Sequence, residues 1–380
     1  MAVRSLLLDW LEPIYENHPQ VRDGLRRADT NLDRVKSSAA RWFPQLIRPV
    51  PRSLFIALTA SCNLRCKGCR YGRDFMPGQQ LPWSIVRDLL DDAKALGFDR
   101  VRLYGGEPLL HKDLPRIVEY AARLGLRFWV TTNGILLREK IDELFDAGLR
   151  RVTVGFYGVG EDYNNYVQRP ERFARVEAGV AYTRERYGMD VSMGLDWLLM
   201  RPTCNLNSLH ETWRFAASYQ TPIQVNLIHY SLPYFTEGED RALQFRPDDR
   251  SAIESVVGEL IRLKNVRPEL VVQDSLALRA IPDWLLKGPN MRVPCHSYRL
   301  IWVGADGTVQ LCYVTFKLGN LHERRLGDML FTPEHRRAAR DAFALNCPNC
   351  HCGYDKRTLS HGPSRRLYNI TPSVDRGTVG

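Results

Sequence analysis

Three cysteines, Cys62, Cys66 and Cys69, follow a short apolar run at residues 54–58 with the spacing Cys-x3-Cys-x2-Cys. Three thiolates on one loop after a predicted strand can ligate three corners of an iron-sulfur cube and leave the fourth iron without a protein ligand. A zinc site or buried thiols are the alternatives, but structural zinc sites close with four ligands and this loop lacks a fourth. The spacing therefore predicts an iron site that is open to a small molecule.

A second group of cysteines lies near the C-terminus. Cys295 precedes and Cys312 follows a predicted hairpin at 300–311, in which Asp-Gly at 306–307 is a strong turn signal. A cysteine-rich run then contains Cys347, Cys350 and Cys352. Four of these thiolates are enough to close another iron-sulfur cluster, and a tetrahedral zinc site would accept the same four. These residues alone leave both metals open.

The first cysteine loop, together with Gly105-Gly106-Glu107-Pro108 one strand later, resembles the radical S-adenosylmethionine (radical SAM) superfamily. In that superfamily the open iron binds the amino and carboxylate groups of S-adenosylmethionine, and an electron from the cluster cleaves it to methionine and a 5'-deoxyadenosyl radical. The radical then takes a hydrogen atom from the substrate. The resemblance implies a [4Fe-4S] cluster and S-adenosylmethionine as cofactors, with an external electron donor such as a flavodoxin or ferredoxin.

The resemblance implies roles for polar residues on the neighbouring loops. Two glycines let a backbone approach a ligand closely, and a glutamate offers acceptors to an ammonium group. Gly105, Gly106 and Glu107 accordingly correspond to the motif that holds the methionine amino group. Thr132 and Asn133 resemble the loop that reaches the ribose, although a simple helix-entry turn would use the same residue types.

Two positions depart from the superfamily pattern. The residue before the last cysteine of the loop is often aromatic and helps to seat the adenine, but here it is Gly68, and Tyr71 is expected to substitute for it. The fourth predicted strand ends in Phe156-Tyr157, where many relatives have a serine. The contact to the methionine carboxylate is therefore left unassigned.

The C-terminal cysteines are similar to the SPASM/Twitch extension of radical SAM enzymes, which has the pattern Cys-x11-Gly-x4-Cys followed by a cysteine pair. The resemblance implies an auxiliary [4Fe-4S] cluster ligated by Cys295, Cys312, Cys347 and Cys350. A full SPASM extension carries seven cysteines and two clusters, whereas this extension has five, so the one-cluster Twitch form fits better. Cys352 is then spare, or it replaces one member of the pair.

Short apolar segments alternate with amphipathic helical patterns through the middle of the chain. Six strand-helix units in this order predict an α/β fold, a parallel sheet curled into a partial (β/α)6 TIM-like barrel, with a small C-terminal β-hairpin and helical iron-sulfur extension. In such barrels ligands bind at the loops that follow the strands. The predicted strands are 54–58, 100–104, 127–130, 151–156, 191–199 and 223–229, and the predicted helices begin near residues 82, 112, 138, 170 and 205, with a closing helix at 248–263.

Changes in composition divide the chain into four parts. Residues 1–50 have an amphipathic helical pattern, 51–265 form the predicted barrel, and 266–359 form the predicted auxiliary-cluster domain. Residues 360–380 are rich in Gly, Pro, Ser and Arg and are expected to be a flexible tail.

Side chains at the mouth of the barrel are candidates for contact with a substrate. Asp196, Tyr157 and His229 can take or give a proton. Cys204 can return a hydrogen atom to a carbon radical, but free cysteines are often small buried apolar residues, which is the alternative interpretation.

Composition excludes several classes of protein. The 380 residues have a net charge of +10, but the arginines are dispersed, so no nucleic-acid partner is expected. The chain has no apolar run of about eighteen residues, and the leucines at 6–8 are followed by acidic residues, so neither a membrane span nor a signal peptide is expected. Clustered cysteines in a cytoplasmic chain favour metal ligation over disulfides.

The main hypothesis is a radical SAM oxidoreductase that acts on a C–H bond of a small polar substrate, either sugar-like or a natural-product intermediate. The electron left on the substrate radical would pass to the auxiliary cluster. The alternatives are a peptide-modifying maturase, a redox-neutral epimerase or isomerase, and a zinc-binding interaction protein without catalysis.

Overall fold

The computed structural model describes residues 31–32, 35–36, 38–40, 42–50, 52–98, 100–229, 241–312 and 315–369. The helix predicted near the N-terminus lies largely outside these residues. The strands are β1 (Ser53–Thr59), β2 (Arg100–Gly105), β3 (Phe128–Thr132), β4 (Arg151–Phe156), β5 (Ser192–Leu199), β6 (Ile223–Leu227), β7 (Leu300–Val303), β8 (Thr308–Gln310) and β9 (Lys317–Asn320).

Helices connect the strands and cover the sheet. None of the described helices is long and apolar enough to cross a bilayer. They are α1 (Trp83–Ala95), α2 (Leu114–Arg123), α3 (Leu137–Asp146), α4 (Glu161–Val167), α5 (Arg172–Tyr187), α6 (Leu206–Ser218), α7 (Arg250–Val266), α8 (Ser275–Arg279), α9 (Ile281–Lys287), α10 (Leu326–Met329), α11 (Pro333–Ala344), α12 (Tyr354–Ser360) and α13 (Gly362–Tyr368).

Strands β1 to β6 pair in parallel in the order of the chain, with a helix after each strand, as the sequence predicts. Side chains alternate along each strand: one face is fully buried and apolar, whereas the other is partly exposed and partly polar. The apolar residues meet the helices, whose own apolar stripes recur every three to four residues. In α2, for example, Leu114, Ile117, Val118 and Ala121 are all buried. The partly polar face lines the interior of the partial barrel, which we call the lumen.

The C-terminal hairpin extends the same sheet. Strand β7 pairs in parallel with β1, from Ser53 opposite Leu300 to Ile56 opposite Val303. Strands β8 and β9 continue antiparallel, so the sheet of the described residues runs β6-β5-β4-β3-β2-β1-β7-β8-β9. The sequence predicts the hairpin, but the pairing with β1 joins segments about 245 residues apart and has no local signal.

At the β6 edge of the sheet, a side chain takes the place of a neighbouring strand. Gln273 is 3% exposed; its Oε1 accepts a hydrogen bond from the Val225 amide at 3.0 Å, and its Nε2 donates to the Val225 carbonyl at 3.0 Å. Next to it, the Val272 amide donates to the Ile223 carbonyl at 3.0 Å. Backbone groups of a buried strand edge need partners. The segment after α7 therefore completes β6 without forming another strand.

Two of the differences from the sequence prediction are helices. Residues 362–368, predicted as part of a flexible tail, form α13, in which Tyr368 is buried and donates a hydrogen bond to Asp283 at 2.6 Å. This anchor explains why the segment is ordered despite its composition. The sequence prediction also omits α4, a helix of seven residues that is too short for a clear periodic pattern.

Replacing Gln273 with alanine should reduce the free energy of unfolding by about 1–3 kcal/mol, because it leaves the N–H group of Val225 buried without its partner and removes one of the two donors to the Val225 carbonyl. Urea unfolding followed by circular dichroism measures this change. Gln224→Ala is the matched control, since Gln224 is exposed on the same strand. Equal midpoints for the two variants would contradict the role assigned to Gln273.

Candidate active site

The first cysteine loop leaves β1 at the end of the barrel where all six parallel strands terminate. Gly68 has φ = +71°, a left-handed conformation in which a residue with a side chain is strained. The glycine that departs from the superfamily pattern is therefore required by the turn between Cys66 and Cys69. The Cys69 amide donates to the Cys66 carbonyl at 3.2 Å, which tightens this turn.

Helix α4 holds the loop in place. The amides of Arg65 and Lys67 donate to the carbonyls of Val167 and Tyr166 at 3.2 and 2.9 Å. These two carbonyls lie at the C-terminal end of α4, where they have no partner within the helix. The side chain of Gln168 donates back to the Arg65 carbonyl at 2.6 Å. The helix that the sequence prediction omits thus supports the backbone between Cys62 and Cys69.

The two glycines of the second loop pass directly over the end of β1. A Cβ atom on Gly105 would lie 2.3 Å from the Thr59 carbonyl oxygen, and one on Gly106 would lie 2.5 Å from the carbonyl oxygens of Ala60 and Ser61. Hydrogen bonds lock this contact: the Gly106 amide donates to the Thr59 carbonyl at 2.7 Å, and the Glu107 amide donates to the Ser61 carbonyl at 2.8 Å. The glycines therefore serve to dock this loop on the cysteine loop.

Glu107 is fully buried, and three donors hold its carboxylate. Oε1 accepts from the Leu109 amide at 3.0 Å and from the Thr132 hydroxyl at 2.7 Å, and Oε2 accepts from the Asn133 amide at 2.7 Å. Burial raises the pKa of Glu107 to about 7, although these hydrogen bonds oppose the shift. A buried carboxylate whose partners are all neutral can accept a further hydrogen bond from a ligand, which fits the amino group that the resemblance implies.

Thr132 and Asn133 lie beside the cysteine loop, but their polar atoms already have protein partners. The Thr132 hydroxyl also accepts from the Gly134 amide at 3.0 Å. The Asn133 Nδ2 donates to Asn63 Oδ1 at 2.7 Å and lies 3.8 Å from the Cys62 sulfur. Both residues position Glu107 and the first cysteine, and their predicted contact with the ribose stays a prediction.

Tyr71 joins the cysteine loop to the C-terminal hairpin. Its ring is buried in a cluster with Ala57, Met76 and Trp302, and its hydroxyl accepts from the Ala305 amide at 3.3 Å. The next residue, Gly72, packs so closely on β1 that a Cβ atom would lie 1.9 Å from the Ala60 carbonyl oxygen. The structure thus gives Tyr71 a packing role, and its predicted contact with adenine stays a prediction.

Tyr157 lies beneath the cysteine loop, as its position after β4 predicts. Its ring packs against Tyr166, with centroids 4.4 Å apart, and against Tyr163, at 5.4 Å. Burial and the nearby Cys66 raise its pKa well above the ordinary value. The phenol is therefore protonated at neutral pH and is a poor proton acceptor, which removes one of the roles considered for it.

Asp196 lies in the lumen within a polar group that spans four strands. Its carboxylate is 3.5 Å from the guanidinium of Arg102 on β2 and accepts a hydrogen bond from Asn226 on β6. Arg102 also donates to the Thr131 hydroxyl at 2.9 Å. Burial raises the pKa of Asp196, opposed by Arg102 and Asn226. Sequence reasoning missed Arg102, although the alternation of charged and apolar residues along β2 places it on the lumen face.

Aromatic rings surround this polar group. The Arg102 guanidinium lies 5.3 Å from the ring centroid of Phe55 and 4.8 Å from that of Tyr104. Phe55 and Trp129 pack edge to face at 5.8 Å, and the Trp302 indole donates to the Tyr104 hydroxyl. The lumen therefore presents a cation, a carboxylate and several aromatic faces to any molecule inside it.

The two other predicted catalytic residues lie elsewhere. Cys204 is buried beside Arg201 and Asp249, and burial raises its pKa to about 12, which supports the alternative of a structural thiol. His229 follows β6 next to His351 of the cysteine-rich run. Burial lowers its pKa to about 4, so it is neutral at pH 7 and a weak proton acceptor. Among the predicted acceptors, Asp196 is a carboxylate that lies in the lumen.

All five C-terminal cysteines line one cavity: Cys295, Cys312, Cys347, Cys350 and Cys352. Ser297, Phe316, Asn349 and Arg357 also line it. The sulfurs of Cys350 and Cys352 are hydrogen-bonded to each other, and Cys352 also lies near Cys295 and Cys312. No three described Cys, His, Asp or Glu side chains lie close enough to share a single metal ion; the five cysteines instead surround a common space. The donor set fits an iron-sulfur cluster, and Cys352 is as well placed as the other four.

The cysteine-rich run also contacts the barrel. His351 Nδ1 donates to the Ile228 carbonyl at 3.1 Å, and the Tyr354 hydroxyl donates to the Val225 carbonyl at 3.3 Å. The auxiliary cavity is thus tied to β6 through these contacts, while its hairpin is tied to β1 through β7.

Comparison with known families finds two matches along the chain. Residues 56–200 match the radical SAM superfamily, and residues 295–352 match SPASM, an iron-sulfur cluster-binding domain. The two matches contain the two cysteine sets and leave the segment between them unmatched.

Two curated relatives match over much of the chain. An AdoMet-dependent heme synthase from Methanosarcina barkeri is 34% identical over 338 residues, which is 84% of this chain and 93% of the relative. A probable GTP 3',8-cyclase from Saccharolobus solfataricus is 27% identical over 271 residues, which is 70% of this chain and 83% of the relative.

Solved structures share the fold at low identity. SuiB of Streptococcus suis bound to its precursor peptide has a TM-score of 0.61 and 15% identity, covering 79% of this chain and 69% of that chain. The protein anSMEcpe with bound AdoMet and a peptide has a TM-score of 0.60 and 17% identity, covering 77% and 84%.

Replacing Glu107 with glutamine should weaken binding of S-adenosylmethionine to the cluster-loaded protein roughly 10- to 150-fold, the loss expected when a hydrogen bond to a charged group is removed. In the wild type, affinity should rise between pH 6 and about pH 7.5, because a pKa of about 7 means that the anionic form, which is the stronger hydrogen-bond acceptor for the amino group, predominates only above it. The variant should lose the part of this rise that comes from Glu107, so its affinity should change less with pH.

Equilibrium binding under anaerobic conditions measures both effects, and iron content verifies that the cluster is intact. Glu119→Gln is the control, since Glu119 is exposed on α2. Unchanged affinity and the same pH profile in Glu107→Gln would contradict the assignment of the contact with the amino group.

Proposed function

Because the chain belongs to the radical SAM superfamily and carries a C-terminal SPASM iron-sulfur domain, we propose that it oxidises a C–H bond of a small polar substrate held in the lumen. The observation that carries the proposal is that five cysteines line one cavity. The hairpin that Cys295 and Cys312 flank belongs to the same sheet as β1, the strand that leads into the first cysteine loop. A second cluster at such a position can accept the electron that an oxidation releases.

When bound, the first cluster and S-adenosylmethionine supply the 5'-deoxyadenosyl radical. The residues of this chain provide the surroundings. Glu107 orients the amino group of the cofactor, and Tyr157, Tyr163 and Tyr166 exclude water from beneath the cysteine loop.

Asp196 is the proposed proton acceptor. Oxidation of a carbon that bears oxygen or nitrogen releases a proton as well as an electron. Burial raises the pKa of Asp196, which makes it a stronger base than an exposed carboxylate, while Arg102 and Asn226 oppose this rise and orient the carboxylate. Arg102 can at the same time pair with an acidic group of the substrate.

A larger planar substrate is the second candidate. It is favoured by the similarity to an AdoMet-dependent heme synthase along 93% of that relative, and by the aromatic rings around Arg102. Ring systems stack on aromatic side chains, and their carboxylates pair with arginine. The likeness to peptide-bound SuiB and anSMEcpe concerns the fold alone, so it does not favour a peptide substrate.

Alanine at Cys295, Cys312, Cys347 and Cys350 together should abolish product formation but leave formation of 5'-deoxyadenosine, because the electron acceptor is lost and the first cluster is not. Iron content should fall from about eight to about four per chain. Cys204→Ala is the matched control and should retain both activities, since Cys204 lies outside both sites. Turnover by the fourfold variant would remove the electron-transfer role of the auxiliary cluster.

The same assay in deuterated water distinguishes oxidation from isomerisation. Oxidation gives a product two hydrogens lighter than the substrate. Deuterium at an inverted carbon, lost in Cys204→Ala or Cys352→Ala, would instead identify an epimerase and overturn the proposal.

Replacing Arg102 with methionine should weaken binding of an acidic substrate about 10-fold or more, because the buried cation is lost. Absorbance titration with a carboxylated porphyrin tests the planar candidate, and titration with a sugar phosphate tests the small polar one. Arg116→Met is the control, because Arg116 is exposed on α2. The supported substrate class is the one whose ligand binds the wild type and loses affinity in Arg102→Met but not in Arg116→Met.

A further inference from the structure

Arg357 is a fully buried arginine on α12 that no sequence pattern singles out. Its side chain is 1% exposed and lines the cavity of the five cysteines. Nε and one terminal nitrogen donate to the Val293 carbonyl at 3.2 and 2.5 Å, and the other terminal nitrogen donates to the Cys350 carbonyl at 2.5 Å. The guanidinium also donates to Asn349 Oδ1 at 3.1 Å and lies 4.6 Å from the Trp284 ring centroid.

Each of these partners is neutral. Among the described residues, Arg357 has no carboxylate within ion-pair distance, whereas the exposed arginines of this chain repeatedly pair with Asp or Glu, as Arg262 does with Glu259. Burial of a guanidinium without a counter-charge is costly. A guanidinium buried at this position is therefore expected to have an anion nearby.

The five-cysteine cavity provides such an anion. A [4Fe-4S] cluster with four thiolate ligands carries a net charge of about −2 when oxidised and about −3 when reduced, because the ligands contribute −4 and the core +2 or +1. A fixed cation at this wall attracts both states, and it attracts the reduced state more strongly.

We propose that Arg357 is the buried counter-ion of the auxiliary cluster and that it raises the reduction potential of this cluster, which makes the cluster a better electron acceptor. The guanidinium acts through charge, and its hydrogen bond to the Cys350 carbonyl fixes its distance from the ligand loop. Arg357 is thus a positioning and tuning residue. The role as acceptor rests on the proposed oxidation, whereas the effect on the potential does not require any substrate.

The test is a redox titration of the full-length chain without substrate, followed by electron paramagnetic resonance. Cys62, Cys66 and Cys69 are replaced with alanine in every sample, so that only the auxiliary cluster gives a signal. Arg357→Gln and Arg357→Met remove the charge, and Arg357→Lys keeps it without the planar fork. Arg336→Gln is the control, because Arg336 is an exposed arginine on α11.

The neutral variants should show a lower midpoint potential than the parent, Arg357→Lys should lie near the parent, and Arg336→Gln should match it. Neutral variants that load four irons and keep the parent potential would overturn the proposal. If the neutral variants do not load a cluster but Arg357→Lys does, charge is the property that the site requires, which supports the counter-ion. Failure of all three to load would mean that only the hydrogen-bond geometry of arginine matters and would overturn the proposal.

If the wild type forms no oxidised product but Arg357→Gln lowers the midpoint potential, the proposed function is contradicted and the counter-ion role of Arg357 is not. If the wild type forms the oxidised product but Arg357→Gln keeps the parent potential, only the counter-ion role is contradicted. The two proposals are therefore separable.

Discussion

The parallel pairing of β7 with β1 is the interaction on which the arrangement of both metal sites depends. Strand β1 ends in the first cysteine loop, and β7 begins the hairpin that Cys295 and Cys312 flank. Backbone hydrogen bonds between the two strands hold the auxiliary domain in register with the barrel, so its cavity cannot move independently of the lumen. Contacts from Gln273 and His351 to β6 fix the other side of the same extension. The C-terminal domain is therefore part of the wall of the barrel.

Buried charge identifies the functional positions within this frame. Glu107, Asp196 and Arg357 all lie largely out of solvent, and each has partners that are neutral or only partly compensating. Structural burial of such groups has no advantage over an apolar side chain. Each charge lies where the proposed ligands would interact with it: an amino group beside Glu107, a released proton beside Asp196, and an anionic cluster beside Arg357. The buried charges of the protein thus match the ligands that we propose.

Several residues that resemble ligand contacts in the sequence turn out to support other protein groups. Gly105 and Gly106 allow one loop to lie on the end of β1, and Thr132 and Asn133 hold Glu107 and Asn63. The members of this motif therefore position one another.

The two cysteine sets, the six strand-helix units and the hairpin could be predicted from the sequence, because they depend on spacing and on periodicity within short windows. The pairing of β7 with β1, the contact of Arg102 with Asp196 across the lumen, and the position of Arg357 at the cysteine cavity became visible only in the folded chain. These relations join residues far apart in the chain, and no local pattern encodes them. The physical reason is that they depend on which backbone edges and buried charges meet after the sheet has closed, and that is a property of packing.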